Sequence, residues 1–426
     1  MCALRKDSFF RRNCRKTREK RIFTVLDTYG ESIYDILIEK TKRPLYGGRR
    51  ADCEEGAVVL MKKLGIIFGG KSEEHEISRM SAVSVMDAVD RSKYEIVPIG
   101  ITKDGRWYLY DGPTEKILTG EWEAEAVRAL AENPEKYAFS VVGAGGKTLG
   151  DVIDFALPVV HGTYCEDGKL QGLLEMAGIP YGGCGVTASA AAMDKIIAKE
   201  LFIRAGIPVC PYVAVTAEQL QRDPEGVAAK IGEELGYPVY VKPANQGSSV
   251  GISKVEKSGD LPEALRYAAC FDRRLLVEKG LSCREIETAV LGNGDDVSAA
   301  VTGEIVATED FYDYDAKYVD DGKPKMQIPA HIPEEMSERI REYAVRGFQM
   351  LGGEGFARCD FFVDRADGKI YLNEINTIPG STSFSMFPLL WEHAGSAYSD
   401  TIERIIELGY ERYYAENHRQ ADRQKR

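Results

Sequence analysis

A chain of 426 residues carrying 67 acidic against 55 basic side chains, net charge −12, is too long for one small domain and too acidic for a general nucleic-acid binder. No apolar run reaches the length of a membrane span. Nine cysteines without a Cys-x-x-Cys pair suit a reducing cytoplasm better than a disulfide scaffold or a zinc site. The class that remains is a cytoplasmic enzyme of several domains, with no nucleic-acid or membrane partner.

Residues 1–60 differ in character from the rest of the chain. Arg5, Lys6, Arg11, Arg12, Arg15, Lys16, Arg18, Lys20 and Arg21 crowd the start without apolar periodicity. We expect a basic extension, non-native or disordered, with translation truly beginning at Met61. From there Met-Lys-Lys-Leu-Gly-Ile-Ile-Phe-Gly-Gly runs straight into a buried-type strand over Leu64–Phe68. Gly65 to Ser72 fits the P-loop pattern G-x-x-x-x-G-K-[ST]. Ile66-Ile67-Phe68 is a strand run, however, and cannot curl around a phosphate, so the P-loop is rejected. The better reading is a Gly-Gly strand end opening onto a helix to about Val89, the usual ligand position in an open α/β sheet. Glu74 at that opening suits a substrate ammonium group, or is an ordinary first-turn acid favoured by the helix dipole.

Further strands are predicted near 94–101, 106–110 and 153–159, with the polar, Gly-rich stretch 111–150 as an excursion. The third leads into the loop His161-Gly162-Thr163-Tyr164-Cys165-Glu166-Asp167-Gly168 and a helix from about Lys169. A second unit begins near Gly182. It is helical over Ala188–Ala205, with Met193-Asp194-Lys195 inside the helix. Val239–Pro243 is a strand ending in Gly247-Ser248-Ser249-Val250-Gly251. Lys195 and Lys242, from separate elements, together with that Gly/Ser loop, supply the compact cations and free N–H groups a triphosphate needs. Leu275–Glu278 is a strand leading to Lys279-Gly280-Leu281 and Glu285, and 284–308 are long β runs. Phe311 to Tyr318 then opens a polar loop to about Gln327, long enough for a lid. Helices near 334–351, 387–395 and 398–412 complete the chain.

The stretch Arg358–Met386 carries the most chemistry. Two β runs, 356–364 and 369–376, flank a turn at Asp367-Gly368, where glycine takes the positive φ of a short loop. A loop of residues 366–368 places Asp360 opposite Glu374 and Arg358 opposite Asn376, all on one face. Facing carboxylates repel, and a cation between them is the remedy. Asp360, Glu374 and Asn376 offer hard oxygen ligands, which suit magnesium and not zinc.

These residues, with Arg358 before and Asn-Glu-Ile-Asn-Thr-Ile-Pro-Gly around them, resemble the metal-binding hairpin of ATP-grasp ligases, and more narrowly the D-alanine–D-alanine ligase family. The family's motifs follow in order from Leu64 to about Tyr413. The resemblance implies an α/β ATP-grasp fold with an N-terminal doubly wound parallel-sheet domain, divided as 61–183, 184–278 and 279–426. It implies ligation of two D-alanine molecules through an acyl phosphate for peptidoglycan precursors, with ATP as substrate, two Mg2+ (or Mn2+) ions and a homodimer. The alternatives are a D-alanine–D-serine ligase or another ATP-grasp carboxylate–amine ligase. Glu74 would hold the first D-alanine ammonium beside His161 and Glu166. Lys195, Lys242 and Ser249 would grip the phosphates, and Lys317 would approach the transferred phosphoryl group. Backbone groups around Glu278, Lys279 and Leu281 would read adenine, with Glu285 on the ribose and with Phe311 and Phe362 either the apolar walls of that pocket or ordinary core. Arg358 and the Gly380 N–H would stabilise the oxyanion, and Ser385 with the Met386 backbone would anchor the second carboxylate. The Met386 side chain is expected to close around the second methyl group. Tyr318 and Ser248 would bond towards Glu74. Ser381 departs from the family, which often has a bulky apolar residue there, and the 60-residue head has no counterpart.

Overall fold

The computed structural model describes residues 61–143, 146–306 and 325–425, with side chains through 417. The basic head and the lid segment, including Phe311, Lys317 and Tyr318, lie outside the described residues.

Among the described residues, three sheets occupy consecutive stretches of the chain. The first contains β1 (Lys62–Gly69), β2 (Tyr94–Ile101), β3 (Trp107–Leu109) and β4 (Phe155–Pro158), in the order β3-β2-β1-β4. β1 pairs in parallel with β2 and β4, and β3 joins the edge antiparallel, so the sheet is not wholly parallel. Both sides of β1 are covered, and Leu64, Ile66, Ile67 and Phe68 are fully buried. That is why this strand reads as a continuous apolar run.

The stretch expected as a polar excursion contains helices, Thr114–Thr119 and Trp122–Glu132 among them. Trp122, Ala126 and Leu130 recur every four residues and form an inward stripe. The Trp122 ring meets Phe68 edge-on at 5.0 Å. It also lies so close to Gly100 that a Cβ there would come within 2.1 Å of the indole.

The second sheet is antiparallel, order β5-β8-β6-β7: β5 (Tyr212–Thr216), β6 (Val239–Pro243), β7 (Ser253–Val255) and β8 (Arg274–Lys279). Before it, the single helix expected over Ala188–Ala205 is two, Val186–Met193 and Lys195–Arg204. Asp194 breaks the run with φ −83° and ψ 101°, and its carboxylate accepts from the N–H groups of Ile196 and Ile197. An aspartate N-cap satisfies donors that the new helix would otherwise leave orphaned. Lys195 thus becomes the first helical residue.

The third sheet, order β11-β10-β9-β12-β13, is also antiparallel: β9 (Cys283–Asn293), β10 (Asp296–Val306), β11 (Lys325–Gln327), β12 (Gly355–Asp364) and β13 (Ile370–Asn376). The helix Glu334–Met350 covers one face through Ile340, Ala344 and Phe348, which pack with Phe361, Leu372 and Ile375. The last helix, Tyr398–Lys425, is longer than expected. It returns to the first sheet, where Ile402, Ile405 and Ile406 join Phe155 and Leu157 in one core. No helix among the described residues is long and apolar enough to cross a membrane.

Candidate active site

The β12–β13 hairpin has the expected pairs, Arg358 opposite Asn376 and Asp360 opposite Glu374. The route to them differs. The loop is residues 365–368, one longer than expected, closed by Gly368 N–H donating to the Asp364 carbonyl with Gly368 at φ +71°. From Val363–Ile370 to Phe361–Leu372 the pairing runs in one register, and it shifts between Phe361 and Asp360. Asn373 is the extra residue, and this bulge restores the Asp360–Glu374 pair.

The neighbouring strand completes the face. Across β9 and β12, Glu285 lies opposite Phe362, Glu287 opposite Asp360 and Ala289 opposite Arg358. Three carboxylates, Glu287, Asp360 and Glu374, therefore stand on one rung. Glu287 was missed by sequence reasoning because nothing in its local pattern separates it from a solvated strand residue. Only the sheet order brings it beside a residue 73 positions away. Arg358 answers the charge. Its Nε and Nη2 donate to the two Asp360 oxygens at 2.7 and 2.8 Å, and its Nε lies 3.1 Å from Glu287 Oε2. Burial works against the guanidinium's proton, but Asp360 and Glu287 outweigh it and hold its pKa above the usual value.

The donor set suits a hard dication: two carboxylates in register and the Asn376 amide, whose Oδ1 accepts from Ile378 N–H at 3.2 Å. Among the described residues no three His, Cys, Asp or Glu side chains are grouped to hold a metal.

Behind the hairpin lies a buried charge cluster. Glu278 on β8 pairs with Lys199 at 2.6 Å and with Lys242 of β6. Burial alone would raise the Glu278 pKa, but the two ammonium groups bring it down to about 2. Lys199 also donates to the carbonyl of the bulge residue Asn373 at 3.3 Å. Lys242 lies 6.0 Å from the Phe362 ring centroid, and Phe362 is half-buried. Lys195 Nζ donates to the Gln246 carbonyl at 2.5 Å and stands 3.9 Å from Glu374. Its burial, only partly offset by Glu374, lowers its pKa. The Lys279 N–H is engaged by the Pro211 carbonyl at 2.9 Å, which narrows the groups that can read a base edge at Glu278–Leu281.

The Gly/Ser loop reaches the first sheet. Ser248 and Ser249 have φ +46° and +62°, a conformation side chains seldom adopt, and Ser248 Oγ donates to Glu74. Glu74 is the N-cap of the helix His75–Ala88, at the end of β1. His161, 3% exposed, sits nearby. Its Nδ1 is 2.8 Å from the Ile378 carbonyl, its Nε2 is 3.0 Å from Ser81 Oγ, and Glu166 lies 3.6 Å away. Burial opposes a charge on the ring, yet Glu166 and Glu74 outweigh it and raise its pKa. Burial likewise raises that of Glu166. His161 thus ties the loop after β4 to the turn after β13.

That turn holds Gly380 and the helix Met386–His393, with Ser385 as N-cap. Ser385 Oγ is 2.6 Å from Thr382 Oγ1 and accepts from Thr382 N–H at 3.1 Å. Ser381 is buried. Its N–H points to Ser81 Oγ at 3.4 Å, and its carbonyl accepts from Tyr398 at 2.7 Å. The Met386 expectation needs correcting. Its side chain is 3% exposed and packs in the core with Leu390 and against Gly303 of β10. The thioether is a core group, and only its backbone N–H, at the start of the helix, suits an anion.

Residues 63–184 match the family model for the D-ala D-ala ligase N-terminus, and residues 201–407 match that for the C-terminus. The D-alanine--D-alanine ligase of Acetivibrio thermocellus is 48% identical over 365 residues, 83% of this chain and 96% of the relative. That of Geobacillus kaustophilus is 45% identical over 354 residues, 82% of this chain and 95% of the relative. The fold resembles the VanG D-Ala:D-Ser ligase of Enterococcus faecalis, with TM-score 0.72, 36% identity, and 82% and 100% of the two chains covered. It also resembles the D-alanine-D-alanine ligase of Coxiella burnetii, with TM-score 0.71, 33% identity, and 84% and 96% covered. The architecture is that of the ATP-grasp ligases, and the chain belongs to the D-alanine–D-alanine ligase family.

Proposed function

We propose that the chain joins two molecules of D-alanine to D-alanyl-D-alanine, using ATP to activate the first carboxylate. The observation that carries this reading is convergence. Ser248 of the loop after β6 reaches Glu74 beyond β1, and Lys195, bonded to Gln246 at the start of that loop, reaches Glu374 of the Asp360–Glu374 pair, while Lys242 of β6 stands behind them on Glu278.

In this reading Glu74, held by Ser248, binds the ammonium of the first D-alanine. Its carboxylate attacks the terminal phosphoryl group of ATP, releasing ADP and leaving an acyl phosphate. Lys195 and Lys242 would neutralise phosphate oxygens, and the strained Gly/Ser loop would offer them N–H groups other than that of Val250, which the Gly247 carbonyl accepts. Asp360, Glu374 and Asn376 would hold magnesium, which when bound would offset the phosphate charge. The amine of the second D-alanine then attacks the acyl carbon. Arg358 and the Gly380 N–H would face the oxyanion that forms, which collapses with loss of phosphate as the amine gives up its proton to the departing phosphate. Ser385 and the Met386 N–H, at a helix start, anchor the second carboxylate.

A second reading, D-serine as the second substrate, draws on the likeness to the VanG enzyme. A competition assay with ATP, magnesium, D-alanine, D-serine and D-lactate, products resolved by mass, tests both. D-alanyl-D-alanine as main product supports the first reading. A dominant mixed product overturns it and leaves the ATP site standing.

A further inference from the structure

We propose that Glu287 is the positioning residue for Arg358, keeping the guanidinium in the site when Asp360 turns its carboxylate to a metal ion. This rests on the metal reading above. The contacts set up a conflict that Glu287 resolves. Arg358 occupies both oxygens of Asp360, at 2.7 and 2.8 Å. A dication bound to Asp360 must take at least one of those oxygens, and it repels the guanidinium. Unless a second anion holds it, Arg358 then either blocks the ion or leaves the rung.

Glu287 is placed to be that anion. It lies directly opposite Asp360 on the side away from Glu374, so Asp360 stands between its two neighbours on one rung. Its Oε2 is already 3.1 Å from the Arg358 Nε. The side chains of Glu287, Asp360 and Arg358 are 11%, 15% and 20% exposed, so water is a poor substitute for the missing partner. Arg358 can transfer from Asp360 to Glu287 by a small rotation of its fork, without leaving the strand face. The glutamate needs no contact with substrate or metal to do this.

The test uses the full chain and Mn2+ titrated by electron paramagnetic resonance in the presence of ADP, alongside steady-state kinetics. In Glu287→Gln the guanidinium stays on Asp360. We expect Mn2+ affinity to weaken about 10- to 100-fold and kcat to fall by a similar factor, as when partners that orient metal ligands are removed. KM for D-alanine at saturating metal should stay near wild type. The Mn2+ effect must run through Arg358, so adding Glu287→Gln to an Arg358→Met protein should weaken Mn2+ binding no further. Glu287→Asp, which restores the charge, should recover part of the affinity, and compared with wild type it serves the same end should the glutamine variant not fold.

Wild-type Mn2+ affinity in Glu287→Gln, or an equal loss in the Arg358→Met background, would overturn the role of Glu287. A wild-type protein that adds nothing to the Mn2+ affinity of ADP alone would instead overturn the metal reading beneath it.

Discussion

Lys199 Nζ lies 2.6 Å from Glu278 Oε1, inside the protein, with its side chain 1% exposed. The same ammonium caps the carbonyl of Asn373, the bulge residue that puts Glu374 opposite Asp360. One lysine therefore joins the strand end proposed to receive adenine to the hairpin proposed to hold metal. Breaking a buried pair costs about 3–5 kcal/mol when the remaining charge is left alone. Glu278 keeps Lys242, so Lys199→Met should cost less, on the order of 2 kcal/mol. Denaturant midpoints read that loss. KM for ATP should rise together with the magnesium requirement, because both sites lean on this residue. A destabilised variant with unchanged ATP and magnesium dependence would make Lys199 a core residue and nothing more.

The same cluster sets an acid limit. The Glu278 pKa, ordinarily 4.5, is down to about 2, since Lys199 and Lys242 outweigh the opposing effect of burial. A depressed carboxyl stabilises the fold above its unfolded value, and that contribution is lost as pH falls from about 4.5 towards 2. A shift of this size corresponds to roughly 3 kcal/mol. Glu278→Gln should therefore be less stable than wild type at neutral pH. The gap should close as pH drops through that window, measured by urea unfolding at fixed ionic strength. Parallel curves would show that the carboxylate is not held down by its partners.

How much of this was legible in the sequence depends on distance along the chain. The hairpin pairs were readable because two short runs and a glycine turn fix each other locally, although the real loop needs the Asn373 bulge to reach them. The break at Asp194 had a signal, an aspartate ahead of Lys195. The Ala-Ala-Ala-Met and Ile-Ile runs on either side argued for one continuous helix and hid it. Trp122 escaped notice because polar residues surround its stripe. Met386 was misjudged because sequence shows that a residue is near a site, not which way it points. Glu287 had no local signal, and its meaning exists only once β9 lies beside β12.

The strained serines separate backbone from side chain. Ser248 has φ +46° and donates to Glu74 through Oγ. Holding a non-glycine residue there costs of order 1–3 kcal/mol. A hydrogen bond to a charged group contributes about 1.5–3 kcal/mol. Ser248→Ala keeps the strain and loses the bond, whereas Ser248→Gly loses both. If Ser248 orients Glu74 for the first D-alanine, both variants should raise KM for D-alanine by about tenfold or more. The glycine variant should be the more stable on thermal unfolding. Equal stability would mean the loop is not strained, and an unchanged KM would detach Ser248 from substrate binding.

The metal hairpin offers the sharpest contrast between fold and activity. Asp360 and Glu374 face each other across the ladder, and Glu287 adds a third carboxylate to the rung. Like charges in register destabilise a sheet, so removing one does not by itself harm the fold. Glu374→Gln should leave thermal stability near wild type, since the amide keeps the shape and the repulsion relieved on the rung offsets the loss of the carboxylate 3.9 Å from Lys195. Asp360→Asn differs, because Asp360 also receives both Arg358 donors, and the amide keeps one acceptor but removes the charge nearest the guanidinium. It should be measurably less stable than Glu374→Gln. Both should lose turnover by about a hundredfold or more, as expected when charge stabilisation at a transferring phosphoryl group is removed. The measurements are ADP release at varied magnesium and melting temperature on the same preparations. Either variant turning over at the wild-type rate with wild-type magnesium dependence would remove these residues from the metal site.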